Sequence, residues 1–254
     1  MPASPRHALR SLAAPAALCA ALTGVLAAPA PASAAPTTPA PAPAAAEATR
    51  IMPLGDSITG SPGCWRALLW NDLQEAGRTS IDFVGTQGPQ GCGVDHDGDN
   101  EGHPGLLATN VARQGLLVGW LQATDPDVVL MHFGTNDVWS SVPTATILDA
   151  YSTLVGQMRA ANPDMRIAVA QIIRMDSARS CATCAQSVAN LNAAIPAWAA
   201  EQSTDRSPVV VADQWTGFDT DTDTYDGVHP NAAGDRKIAD TWLPVIDGLL
   251  DTAA

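Results

Sequence analysis

From residue 50 onward the sequence predicts an α/β fold, a five-stranded parallel sheet covered by helices on both faces. Three observations carry this. Short apolar runs alternate five times with longer stretches of helical period, the rhythm of strand–helix–strand units. The central run, Asp127-Val-Val-Leu-Met-His-Phe133, is apolar on both faces, as in a parallel strand buried on two sides. The polar clusters all fall just after strands or in the final loop, and in such sheets ligands sit beyond the carboxyl ends of the strands.

In chain order, the first strand spans 50–54 and runs into Gly55-Asp56-Ser57. Trp65, Leu68, Leu69 and Leu73 then recur at helical spacing until Gly77 stops the pattern. The second strand is 81–84. The stretch 86–105 is a glycine-rich acidic loop, too long and polar to serve packing alone. Val111, Leu116, Leu117 and Leu121 predict one helix ahead of the central strand. Ile147, Leu148, Tyr151, Leu154, Val155 and Met158 form an amphipathic helix. The fourth strand is 166–172, the next helix 188–198, the fifth strand 209–212, and a helix over 232–250 closes the chain.

The N-terminal fifty residues read differently. Arg6 and Arg10 precede an apolar run and then Ala32-Ser33-Ala34, the order of a secretory signal peptide over 1–34. Pro15 and Pro29 interrupt the run, whereas a membrane anchor needs about 20 apolar residues in succession. Residues 35–49 are almost only Ala, Pro and Thr, a linker with nothing large enough to bury. The folded catalytic part is therefore expected over 50–254, one domain in a secreted, extracellular protein.

Without Arg6 and Arg10, 11 of the 13 basic residues face 26 acidic ones, a net charge of −15. A field of this sign repels phosphate backbones and anionic membranes, so neither nucleic-acid binding nor membrane insertion is expected. Once Cys19 leaves with the leader, Cys64, Cys92, Cys181 and Cys184 remain. An even count in an exported protein suggests two disulfides, with three possible pairings. Cys64–Cys92 and Cys181–Cys184 is the sequence-local choice. No second Cys or His pair at ligand spacing accompanies Cys181-x-x-Cys184, which argues against zinc.

Ser57 directly follows the first strand, so its hydroxyl is expected at the sheet's edge, although a serine there can equally cap the next helix. A serine nucleophile needs a base within hydrogen-bond reach. His229 is the only histidine beyond the last predicted strand and stands three residues after Asp226. At that spacing a carboxylate can turn back onto the imidazole and orient it; alone, the pair also fits a surface turn. Acyl transfer further needs donors for the developing oxyanion. The Asn136 amide, the Gly105 N–H and the Ser57 N–H are candidates.

Gly55-Asp56-Ser57, Gly105, Gly134-Thr135-Asn136-Asp137 and Asp226-x-x-His229 resemble the four blocks of the SGNH (GDSL-type) hydrolases, in order and approximate spacing. The resemblance spans essentially all of the folded region. It implies a three-layer α/β/α, flavodoxin-like fold without metal or cofactor. It also implies Ser57 as nucleophile, His229 as base, Asp226 as its orienting partner, and Gly105 and Asn136 as oxyanion donors. A Gly-x-Ser-x-Gly elbow of the α/β-hydrolases is lacking. Phe83-Val-Gly-Thr-Gln87 and the segment ending Glu101-Gly-His-Pro-Gly105 look like the family three carbohydrate esterases. These are similar to acetylxylan esterases, so the implied substrate is an acetylated plant cell-wall polysaccharide or small ester, attacked by a monomer. Trp65 and Trp139 fit either sugar stacking or packing.

Two other readings compete. One is a lipase, lysophospholipase or thioesterase of the same fold, against which the low aromatic content and lack of an apolar lid argue. The other is a carbohydrate-binding protein that has lost the chemistry. The acidic stretches Asp95-His-Asp-Gly-Asp99 and Asp219-Thr-Asp-Thr-Asp223 suggest calcium, but Asn100 and Thr224 occupy the position of the EF-hand glycine and no glutamate closes either loop.

Overall fold

The computed structural model describes residues 47–251. The predicted leader (1–34) and all but the last three residues of the predicted linker (35–49) lie outside the described residues. Thr49 already belongs to the first strand, β1 (Thr49–Gly55), which leads into the one-turn helix α1 (Ser57–Gly60) and then α2 (Trp65–Glu75). There follow β2 (Ile81–Phe83), β3 (Glu101–Gly102), α3 (Ala108–Gln114), α4 (Leu116–Thr124), β4 (Val128–His132), α5 (Thr135–Trp139) and α6 (Thr144–Ala161). The chain continues through β5 (Arg166–Gln171), α7 (Cys184–Gln202), β6 (Val209–Asp213), α8 (Thr220–Asp223) and α9 (Ala232–Asp251).

The main strands lie in the order β2-β1-β4-β5-β6 and all pair in parallel. Successive side chains of a strand point to opposite faces, and the two faces here carry separate cores. In β4, Val128 and Leu130 pack with Trp65, Leu69, Ile238 and Trp242 of α2 and α9. Val129 and Met131 pack with Val111, Leu121, Leu154 and Leu191 on the other side, from α3, α4, α6 and α7. This gives three layers, helix–sheet–helix. Strand order reverses between β1 and β4, because the chain steps outward to β2 before returning to β4. A crevice opens at such a switch point beyond the strand ends. Ser57 follows β1, and Asn136 follows β4.

Three details depart from the expectations. The helix predicted across 111–121 is two helices, since Gly115 (φ 66°) ends α3 in the left-handed conformation and starts α4 in a new direction. A sixth strand, β3, adds two residues beside β1, with Leu54 opposite Glu101 and Gly55 opposite Gly102. The loop over 86–105 is organised from within by Arg66, which is fully buried. Its guanidinium donates to the carbonyls of Thr59 (2.8 Å), Gly98 (2.9 Å) and Pro62 (3.0 Å) and to Gln90 Oε1 (2.9 Å).

The disulfides are Cys64–Cys92 and Cys181–Cys184. The first ties the 86–105 loop to the start of α2. The acidic stretches have structural duties. Asp97 accepts from the Phe83 N–H at 2.8 Å, Asp219 caps α8, and Asp223 pairs with Lys237 at 2.6 Å.

Candidate active site

Asp56, not Ser57, is the N-cap of α1: its Oδ1 accepts from the Ile58 N–H at 3.0 Å. The capping alternative for the serine is thereby filled by its neighbour, and the Ser57 hydroxyl is engaged elsewhere. Ser57 Oγ lies 2.9 Å from His229 Nε2, across 172 residues of sequence. His229 Nδ1 lies 2.7 Å from Asp226 Oδ2, while Asp226 Oδ1 accepts from the backbone N–H groups of His229 (2.7 Å) and Val228 (2.9 Å). Partial burial pushes the Asp226 carboxyl upward, but these hydrogen bonds outweigh it and hold the group below the usual carboxylate range. A Tyr225 N–H to His229 carbonyl bond of 3.1 Å closes the turn. The Tyr225 ring stacks on the imidazole, centroids 5.7 Å apart and planes 12° apart.

β3, paired with the end of β1, leads into the segment carrying Gly105 (φ 82°). The His103 N–H donates to the Gly55 carbonyl at 2.9 Å, and the His103 ring stacks on Trp120 at 4.3 Å. Buried Glu101 accepts from the Thr86 N–H (2.8 Å) and hydroxyl (2.7 Å) and pairs with His103 Nε2. α1 packs on β3 so closely that a Cβ on Gly60 would come within 2.4 Å of the Gly102 carbonyl oxygen; only glycine fits. Asn136 Nδ2 donates to the Leu106 carbonyl at 3.2 Å, which leaves its second amide hydrogen available. Among the described residues, no protein acceptor takes the Gly105 N–H.

All five site residues expected from sequence are therefore drawn to one end of the sheet. Two buried neighbours carry no role that the sequence assigned. Asp56 is fully buried, and desolvation raises its pKa to about 7 against the opposing Ile58 hydrogen bond. His132, at the end of β4, is pushed down to about 4 by burial, so it is neutral at pH 7. Trp65 is core, its Nε1 donating to the Ile58 carbonyl at 2.9 Å, whereas Trp139 is 42% exposed. Among the described residues there is no group of three or more His, Cys, Asp or Glu able to hold a metal, and no helix long and apolar enough to cross a membrane.

A family model, the GDSL-like lipase/acylhydrolase family, matches residues 54–237. A multidomain esterase from Ruminococcus flavefaciens is 30% identical over 223 residues, 79% of this chain, which spans 29% of that relative's length. Among solved structures, an acetyl esterase mutant with acetate ion superposes with a TM-score of 0.73 at 36% identity, covering 81% of this chain and 100% of the other. A family 3 carbohydrate esterase from Talaromyces cellulolyticus gives 0.73 at 37% identity (80% and 98%). One from Clostridium thermocellum gives 0.69 at 29% (82% and 100%). The family's span runs from the end of β1, through the serine, into α9 beyond the histidine, and on that match this chain belongs to the GDSL-like lipase/acylhydrolase family.

Proposed function

We propose that this chain is a secreted serine esterase that removes acetyl groups from polysaccharide, with plant cell-wall xylan as its substrate. The observation that carries the reading is the unbroken Asp226–His229–Ser57 hydrogen-bond chain at the switch point of the sheet. In the proposed mechanism Ser57 Oγ attacks the ester carbonyl while His229 Nε2 takes its proton. The tetrahedral oxyanion accepts from the N–H groups of Ser57 and Gly105 and from the Asn136 amide. The bond to the alcohol oxygen then breaks as His229 returns the proton to it. Water, deprotonated by the same imidazole, attacks the acetyl-serine; the bond to Ser57 Oγ then breaks as His229 returns the proton to that oxygen, and acetate leaves. Asp226 holds Nδ1–H toward itself throughout, so that Nε2 can accept.

The likeness to an acetyl esterase and to family 3 carbohydrate esterases supports the acetyl and carbohydrate parts of the reading. Two disulfides and the basic–apolar–small order of the N-terminus support export. The test is acetate release from acetylated xylan, beside 4-nitrophenyl acetate and octanoate, with Ser57→Ala as control. Release from xylan that vanishes in the variant is expected. Preference for octanoate would move the substrate to acyl lipids, and undiminished hydrolysis by Ser57→Ala would remove the nucleophile.

A further inference from the structure

Beside the triad lies an open groove of about 510 Å³, lined by Pro62, Leu68, Val94, Tyr225, Pro230 and the Cys64–Cys92 disulfide. Tyr225 and Val94, 63% and 49% exposed, are two of the four large apolar side chains left open to solvent among the described residues. Exposed apolar surface gathered in one concavity marks a binding groove. Most polar atoms at its edge are already paired, although Arg236 Nε is buried without a partner among the described residues and only one Asp235 carboxylate oxygen accepts a hydrogen bond. Asn231 donates to the Thr222 and Thr224 carbonyls and accepts from the Ala233 and Gly234 N–H groups. Asp235 accepts from the Trp65 N–H, and Arg236 is held by Asp72 and Asp240. The groove therefore offers its occupant mainly hydrocarbon and one aromatic face.

Which part of a substrate reaches the groove follows from the chemistry, on the esterase reading given above. The carbonyl oxygen is turned toward Gly105 and Asn136. The alcohol oxygen must come within about 2.6–3.2 Å of His229 Nε2 to receive its proton. The alcohol portion therefore lies on the His229 side of Ser57, where Tyr225 covers the imidazole and the groove begins. We propose that this groove is the leaving-group subsite and that it takes the apolar C–H face of a pyranose ring, stacked on the exposed face of Tyr225. The acyl group is directed away from it.

The chain has only two tyrosines, and Tyr151 is buried with its hydroxyl donating to the Phe133 carbonyl at 2.6 Å, so ring-labelled tyrosine reports on Tyr225 selectively. In the Ser57→Ala protein, acetylated xylotriose is expected to shift the Tyr225 resonances saturably and leave those of Tyr151 in place. In the active enzyme, Tyr225→Ala and Val94→Asp are each expected to lower the ratio of kcat/KM for acetylated xylotriose over that for methyl acetate about tenfold. Val118→Asp, an exposed site on α4 outside the groove, should leave the ratio where it is. An unchanged ratio in both groove variants, or Tyr225 signals that answer to an octanoyl ester and not to the oligosaccharide, overturns the subsite. Full hydrolysis by Ser57→Ala would instead overturn the esterase reading on which it rests.

Discussion

Asp137 reaches from α5 to Thr109, accepting its backbone N–H at 3.1 Å and its hydroxyl at 2.7 Å through one carboxylate oxygen. The other oxygen takes the Ala108 N–H at 2.7 Å. α3 starts behind Leu107, whose side chain has no acceptor to offer, so Asp137 supplies the cap from outside the helix. Its neighbour Asn136 holds the Leu106 carbonyl. Two consecutive residues thus fasten the segment that follows Gly105. Asp137→Ala is expected to cost about 1–3 kcal/mol, because buried N–H groups lose their acceptor, and to lower kcat/KM at least tenfold. Denaturant titration and ester kinetics check this; wild-type stability would refute the capping role.

Asp226→Asn keeps an oxygen for the His229 and Val228 N–H groups but turns an amide N–H toward Nδ1. The imidazole must then carry its proton on Nε2, where it no longer accepts from Ser57. A fall in kcat on the order of 10²–10⁴-fold, with KM little changed, is expected from the behaviour of Ser-His-Asp triads. A loss under tenfold would show that Asp226 does not set the tautomer.

Asp56 provides a pH signature. Its pKa of about 7 lies above the ordinary value of 3.8, so between about pH 4 and 7 the folded state binds a proton that the unfolded state releases. Its contribution to stability therefore falls as pH rises through that window. His132 titrates in the opposite sense, being held down to about 4, so the comparison must be made against a variant. Relative to wild type, Asp56→Asn should gain melting temperature progressively from pH 4.5 to 7.5. A constant difference between the two proteins would mean that Asp56 is ionised throughout.

Arg66→Met removes a buried guanidinium that serves three carbonyls and Gln90. Buried acceptors then lose their donor, so a loss of roughly 3–5 kcal/mol is expected. The 86–105 loop should also become accessible to protease while its disulfide remains closed. Protease resistance equal to wild type would show that the disulfide and the loop's other hydrogen bonds hold it without Arg66.

Legibility in the sequence followed the range of the interaction responsible. β1, β4 and β5 could be read because burial on both faces requires consecutive apolar residues, as in Val128 to Met131, whereas β2 alternates, with Asp82 exposed between Ile81 and Phe83. The amphipathic helix around Tyr151 could be read because one buried face imposes a 3.6-residue period. The break at Gly115 leaves only a weak trace, in that Val111 and Leu117, six residues apart, fall out of helical phase across it. β3 is two residues long and carries no period at all. Asp137 acts on Ala108 and Thr109, which are distant in sequence, whereas Tyr225 stacks on His229 only four residues on, a contact set by how the intervening turn closes.

What the sequence determined by itself was the order of strands and helices, the acidic balance and the set of polar groups that fall after strands. These rest on local periodicity and on composition. The tertiary structure alone decided that Asp56, Arg66 and His132 are buried, that Asp56 and not Ser57 caps α1, and that an apolar groove opens beside His229. Each of those depends on which surfaces the fold removes from water. That is settled by the packing of α2, α9 and the 86–105 loop around the strand ends, and no local pattern records it.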